Sequence, residues 1–269
     1  MNYKKLISNG KSVREFKNKS IEEKYFNEIE SYIKNSKKLL PEINIEVKIF
    51  DNKDSYEKLN KIAGYNGYMI EAPNYVVILS DVKKGYIENS GYIGERLILK
   101  ARDLEIDSCW ITFKDSDAIK EKLDISSDKE VTAIIALGYE DSGNSKNKSS
   151  SDRLGVEKIV YMDEWGKNAS VTELEERGLF DAFSYARMAP STLNRQPWRF
   201  IIDDGNIILA VKKDDFTSNY EKSIDAGIAM LYFGLIIDTT MFDLKWSIDN
   251  INKDYKIPDN YEIMGYCSI

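Results

Sequence analysis

GYIGERLILKARDLEIDSCW, from Gly91 to Trp110, returns in altered form as GIAMLYFGLIIDTTMFDLKW, from Gly227 to Trp246. Both begin with glycine and carry leucine eight residues on (Leu99, Leu235), aspartate sixteen on (Asp107, Asp243) and tryptophan nineteen on (Trp110, Trp246). Each predicts a long buried helix followed by a turn into a strand, so the chain reads as an internal repeat. The competing reading is chance likeness between two amphipathic helices, and the matched tryptophan weighs against it.

Outward from these segments the two halves keep step. Ser20-Ile-Glu-Glu23 has the form of a capping box, with Ile21, Tyr25, Ile29 and Ile33 at helical spacing behind it. Ser170-Val-Thr-Glu173 has the same form and leads into Leu174, Leu179, Phe180 and Phe183. The first helix runs towards Pro41 and the second towards Pro190, and a strand candidate follows each, at 45–51 and 198–204. Further strands are expected at 75–79 and 131–137. Helices and strands alternate irregularly, which predicts an α+β class rather than a regular doubly wound sheet. The polar run DSGNSKNKSSSD, 141–152, reads as a solvated low-complexity stretch between the halves. The expected division is 1–165 and 166–269.

Of the 269 residues 42% are hydrophobic, enough for a real core. A net charge of −7 argues against a broad nucleic-acid face. Two cysteines, Cys109 and Cys267, imply no disulfide framework. Histidine is absent, which excludes Ser-His-Asp and Cys-His catalysis, HExxH zinc chemistry and any histidine base. A metal site is not expected. If the chain is an enzyme, a cofactor carries the difficult chemistry. Neither a GxGxxG nor a P-loop is present. No apolar run nears the roughly 20 residues of a membrane span, and the longest, around Ile228–Ile237, suits a buried helix. The N-terminus lacks the features of a signal peptide, so a cytoplasmic location is expected.

Four segments carry a resemblance: Lys11-Ser-Val-Arg-Glu-Phe16, Ala189-Pro-Ser-Thr-Leu-Asn-Arg-Gln-Pro-Trp198, the Gly91–Trp110 helix with its Cys-Trp-Ile turn, and Arg153-Leu-Gly-Val-Glu-Lys-Ile-Val160. Together, over nearly the whole chain, they resemble the nitroreductase family, in particular its branch of two fused half-repeats. The resemblance implies a nitroreductase-like α+β fold, arranged as an intrachain pseudo-dimer, with FMN as cofactor and NAD(P)H as transient electron donor.

It also implies roles. Lys11, Ser12, Arg14 and Arg153 match positions that hold the FMN phosphate, a task that suits the bidentate guanidinium fork. For a lone arginine the alternative is an ordinary surface charge. Pro190, Ser191 and Asn194 match positions that reach the flavin, and Gln196, Pro197 and Trp198 fix the turn and begin a strand. Trp110, Ile111 and Thr112 match the turn passing over the ring; the alternative for Trp110 is a purely core role. Three departures are visible: Gly10 and Ser151 stand where the family often has Arg and Lys, and Thr112-Phe113 where it commonly has glycines.

The losses in the two halves are complementary. The first keeps KSVREF, the Cys-Trp-Ile turn and Arg153, but its proline turn has become Leu40-Pro-Glu-Ile-Asn-Ile45. The second keeps APSTLNRQPW and lacks a Ser-x-Arg entry and a basic tail. One composite FMN site per chain is therefore expected, in a monomeric pseudo-dimer or weak homo-oligomer. The expected activity passes hydride from NAD(P)H through flavin to a nitroaromatic, quinone or similar small acceptor, with no nucleic-acid or membrane partner. The alternatives are a flavin-binding or storage protein with little turnover and a degenerate scaffold that binds none.

Overall fold

The computed structural model describes residues 1–50, 54–141, 152–213, 218–240, 243–249 and 251–269. Contacts divide the chain into two compact units: Met1 with Asn9–Ser149, and Asn2–Ser8 with Ser150–Ile269. Helix α1 (Tyr3–Ser8) is therefore counted with the second unit.

The first unit contains α2 (Glu23–Asn35), β1 (Ile45–Phe50), α3 (Asp54–Leu59), β2 (Asn74–Ser80), α4 (Tyr86–Asp103), β3 (Asp107–Ile111), α5 (Ser116–Lys122) and β4 (Glu130–Gly138). Its sheet has the order β1-β2-β4-β3, antiparallel throughout. The run NYVVILS of β2 is buried at every position, as a central strand covered on both faces must be. Tyr75, Val77, Ile134, Ala136, Cys109 and Ile111 share one face and pack with Ile119 of α5 and with Leu123 just after it. The opposite face, with Val76, Ile135 and Trp110 in register, takes the buried helix α4. Helix α2 packs on α4.

The second unit continues with β5 (Val160–Met162), α6 (Val171–Glu176), α7 (Phe180–Ala186), β6 (Trp198–Asp203), β7 (Asn206–Lys212), α8 (Asn219–Ile237), β8 (Trp246–Ser247) and β9 (Tyr261–Ser268). Its sheet order is β5-β6-β7-β9-β8, antiparallel except for the parallel β5–β6 pair. Helix α8 is buried from Ile224 to Ile237, the expected state of a helix apolar all round. Phe183, Phe200, Phe233 and Trp246 form its aromatic contact with α7 and the sheet, at centroid spacings of 5.0–6.0 Å. Helix α1 packs on α7 and α8.

Both long helices lead into strands bearing the matched tryptophans, Trp110 in β3 and Trp246 in β8. Each indole is tied back to its own helix. Trp110 Nε1 donates to Glu95 Oε2 at 2.9 Å, and Trp246 Nε1 donates to the Met230 carbonyl at 3.1 Å.

The capping boxes divide. Ser170 and Glu173 form one, and the helix it opens stops early: Gly178, with φ of 69°, separates α6 from α7. Ser20 caps nothing, a correction to the sequence reading. Helix α2 begins at Glu23, after Glu22 in an extended conformation without a side-chain cap. Just upstream, the N–H of buried Ile21 donates to Asn74 Oδ1 of β2 at 3.3 Å. A second box, Ser218 with Glu221, opens α8 and was not signalled by the sequence reading. Strands β7 and β9 complete this sheet beyond the sequence expectations; Asp204-Gly205 forms the tight hairpin before β7, with Asp204 at φ 53° between paired Asp203 and Asn206. Asp51 and most of the polar run 141–152 lie outside the described residues.

Candidate functional site

In the first unit the segment Lys11–Phe16 lies against the β3–β4 end of the sheet. Buried Val13 donates its N–H to the Ser108 carbonyl at 2.9 Å, Lys17 N–H donates to Tyr139 O at 2.8 Å, and Phe16 bridges Glu140. Extended backbone alternates its side chains, so with Val13 inward Ser12 and Arg14 are exposed. Arg14 has no carboxylate partner among the described residues. Its charge acts on Cys109 of β3: burial pushes that thiol up to about 11, and Arg14 opposes the shift. Lys11 is engaged in an ion pair with Glu140.

Strand β3 ends in Trp110 and Ile111, with Thr112 next. Ile111 is buried and faces α5; Trp110 is half-buried and packs on α4 beside Gly94. Glu95, which receives the indole N–H, is 1% exposed. The Thr112 carbonyl accepts from Gly64 N–H at 2.7 Å, and Ala63 bridges Phe113. Part of the turn's backbone is therefore spent on the loop Asn60–Tyr68, which the sequence reading did not single out. Trp110 is a packing residue of α4 and β3 as well as a neighbour of the turn.

In the second unit, Ala189–Trp198 forms a loop of unusual backbone. Leu193, Asn194 and Gln196 stand at φ of 55°, 55° and 51°. For a leucine this left-handed conformation costs about 1–2 kcal/mol, so the surrounding bonds must hold it. Ser191 Oγ accepts from Gln196 N–H at 2.9 Å, and Asn194 N–H donates to Ser191 O at 2.9 Å. The carboxamide of buried Gln196 is fully used. Its Oε1 accepts from Leu154 N–H at 2.8 Å, and its Nε2 donates to the Asp152 and Asn194 carbonyls at 3.0 and 3.2 Å. Arg153 Nη1 donates to the carbonyl of Ala189, just before Pro190, at 2.7 Å, and Asn194 Nδ2 to Asp152 O at 3.3 Å. From below, Asp225 of α8 accepts the Thr192 N–H at 3.1 and 3.2 Å to its two oxygens.

Two clusters result. The first unit brings Lys11, Ser12 and Arg14 beside the strand that ends in Trp110 and Ile111. The second brings Arg153, Pro190, Ser191 and Asn194 together through Gln196. Arg153, grouped with KSVREF in the sequence, makes its described bond to the 189–196 loop. Sequence reasoning missed Glu95, Asp225 and the reach of Gln196 to residues 152–154. A signal for Asp225 existed: a lone carboxylate at the head of an apolar run, Asp225-Ala-Gly-Ile-Ala-Met230, marks a buried and bonded acid. Among the described residues no His, Cys, Asp or Glu group could hold a metal ion. No helix among them is long and apolar enough to cross a membrane.

The family model described as "Putative TM nitroreductase" matches residues 2–237. A solved structure from Thermotoga maritima, described as a "putative nitroreductase", is 20% identical, covers 100% of this chain and 94% of its own, and superposes with a TM-score of 0.60. An "FMN-dependent Nitroreductase" from Clostridium difficile is 19% identical, covering 64% of this chain and 94% of its own, with a TM-score of 0.45. A "Putative NADH Oxidase" from Clostridium acetobutylicum is 21% identical, covering 57% and 96%, with a TM-score of 0.47. Among curated proteins none matches. The first of these structures shows that the fold is that of the nitroreductases.

Proposed function

The chain belongs to the nitroreductase family, a family of oxidoreductases, and from that premise we propose that it is an FMN-dependent enzyme that takes hydride from NAD(P)H and passes it to a nitroaromatic, quinone or similar small acceptor. The observation that carries the reading is the Ser191–Gln196 loop. Strained backbone held by buried polar groups is characteristic of a preorganised ligand site.

The donor set suits FMN. Arg14, exposed and without a carboxylate partner among the described residues, would take the phosphate bidentately, with the exposed Ser12 hydroxyl beside it. Lys11 would share its charge between Glu140 and the phosphate. Arg153 would act mainly by ordering the loop, since it donates to Ala189 O. Ser191 accepts from Gln196 N–H, which leaves its own O–H to donate, and Asn194 offers a neutral amide. The backbone of the Trp110–Thr112 turn would border the ring, with Thr112 O already taken. FMN, when bound, supplies two-electron chemistry, accepting hydride from the nicotinamide and delivering it to the acceptor in turn. The protein's residues orient the ring and exclude water, which needs no histidine.

We propose one FMN per chain, within an intrachain pseudo-dimer of halves 1–165 and 166–269. Residues Lys11, Ser12, Arg14, Trp110, Ile111, Thr112, Arg153, Pro190, Ser191 and Asn194 are its contacts. One observation favours a second reading, a flavin-binding protein with little turnover: Lys11 and Arg153 both have other commitments, which thins the phosphate grip. Reconstitution with FMN, followed by counting released flavin against chain, tests the proposal. One FMN per chain, reduced rapidly by excess NAD(P)H and weakened by Arg14→Ala, is expected. Bound flavin that NAD(P)H reduces only slowly favours the storage reading, and no bound flavin sinks both.

A further inference from the structure

We propose that Asp225 is the positioning residue of the flavin site: it holds the Ser191–Gln196 loop in the left-handed conformation that presents Ser191 and Asn194 to the cofactor. This rests on the FMN reading above. The loop needs such an anchor, because Leu193, Asn194 and Gln196 all occupy the left-handed region and Leu193 is half exposed. The anchor has to act through the backbone, and Thr192 N–H is where it does: both Asp225 oxygens lie within 3.2 Å of that nitrogen.

Asp225 is 3% exposed. A buried carboxylate costs stability unless its hydrogen bonds offset the lost hydration. An acid in the second turn of a helix buried from Ile224 to Ile237 is thus poorly explained by packing, and its described bonds point to the loop. Lys222, one turn earlier, is engaged with Glu262 and Asn219. Because α8 is the most deeply buried helix of its unit, the Asp225–Thr192 bond transmits the rigidity of the core to an exposed loop. Gln196 does the complementary work from the other side, through Leu154 and Asp152.

Affinity depends on this preorganisation, since a loop that must order itself on binding subtracts that ordering from the binding energy. Asp225→Asn keeps one of the two acceptor oxygens and should weaken FMN binding about tenfold; Asp225→Ala removes both and should weaken it about a hundredfold. Thr192→Pro deletes the same bond from the exposed side without touching the buried helix. The extended Ser191, at ψ of 156°, already suits a residue before proline. It should weaken binding like Asp225→Asn.

The experiment measures FMN dissociation constants by flavin fluorescence for wild type and the three variants. Alongside these, amide exchange of the 188–197 peptide is followed in flavin-free protein, with thermal midpoints as the control for folding. Faster exchange of that peptide, together with weakened FMN binding in variants that remain folded, supports the assignment. FMN bound equally well by wild type, Asp225→Asn and Thr192→Pro overturns the role of Asp225 alone. A wild-type protein that binds no FMN overturns the flavin reading and this inference together.

Discussion

Gly94→Ala offers a sharp test of how α4 and β3 fit together. A methyl group on Gly94 would stand 2.4 Å from Trp110 Cη2, 3.1 Å from Cζ2 and 3.3 Å from Ile78 Cδ1. Carbon contacts settle at about 3.5–4.0 Å, so the ring must retreat by about 1 Å. It cannot retreat freely, because its Nε1 is bonded at 2.9 Å to Glu95, the next residue of the same helix. Overpacking of this kind costs about 1–3 kcal/mol. Stretching that buried hydrogen bond forfeits part of about 0.5–1.5 kcal/mol. Against these, alanine in a helix interior gains about 1 kcal/mol over glycine.

The balance is a loss of about 2 kcal/mol, or about 4–8 °C in unfolding midpoint for a protein of this size. Gly234→Ala in α8 is the matched control, since its methyl would meet Leu244 Cδ2 at 3.5 Å and Trp246 Nε1 at 3.9 Å, both ordinary contacts. There the helix term stands alone and the expectation is a gain of up to about 1 kcal/mol. Thermal unfolding of the three proteins, followed by circular dichroism, decides the matter. A Gly94→Ala protein as stable as wild type, or a Gly234→Ala protein destabilised to the same degree, would show that the Trp110 ring does not set the α4–β3 fit.

Gln196→Ala should destabilise by about 1–2 kcal/mol, because it removes a buried carboxamide that bonds the half-buried Leu154 N–H and the Asp152 carbonyl. The added signature is earlier proteolytic cleavage near residues 152–156, read by mass spectrometry. Asp203 bears on pH dependence. Its hydrogen bond with Lys253 holds its carboxyl below the usual aspartate range, and Tyr255 adds to the effect. A lowered folded pKa contributes stability that is complete above the ordinary value of about 4 and is lost as pH falls through the folded one. Asp203→Asn should therefore lose stability at neutral pH, and its gap to wild type should close on acidification below about pH 4; a gap that widens in acid contradicts the assignment.

Much of the site was legible because its pieces are contiguous. KSVREF and APSTLNRQPW are single segments whose alternation and turn chemistry are local properties. The structure finds Val13 inward, Ser12 and Arg14 outward, and a tight loop at Ser191–Gln196. The supports of those segments were not legible. Glu95 meets Trp110 across 15 residues, Gln196 meets Leu154 across 42, and Asp225 meets Thr192 across 33. The Ser20 box shows the converse, a local signal that the folded chain does not use, since α2 begins at Glu23 without a side-chain cap.

By itself, then, the amino-acid sequence determined the α+β class, the two long buried helices with their following tryptophan strands, and the family. All three are written in periodicity, composition and unbroken motifs. The tertiary structure alone decided which caps close, how β7 and β9 pair, and which buried side chains brace the loops. Those outcomes depend on hydrogen bonds between residues far apart in sequence, and a buried donor or acceptor takes the partner that the packed core brings to it rather than its neighbour along the chain.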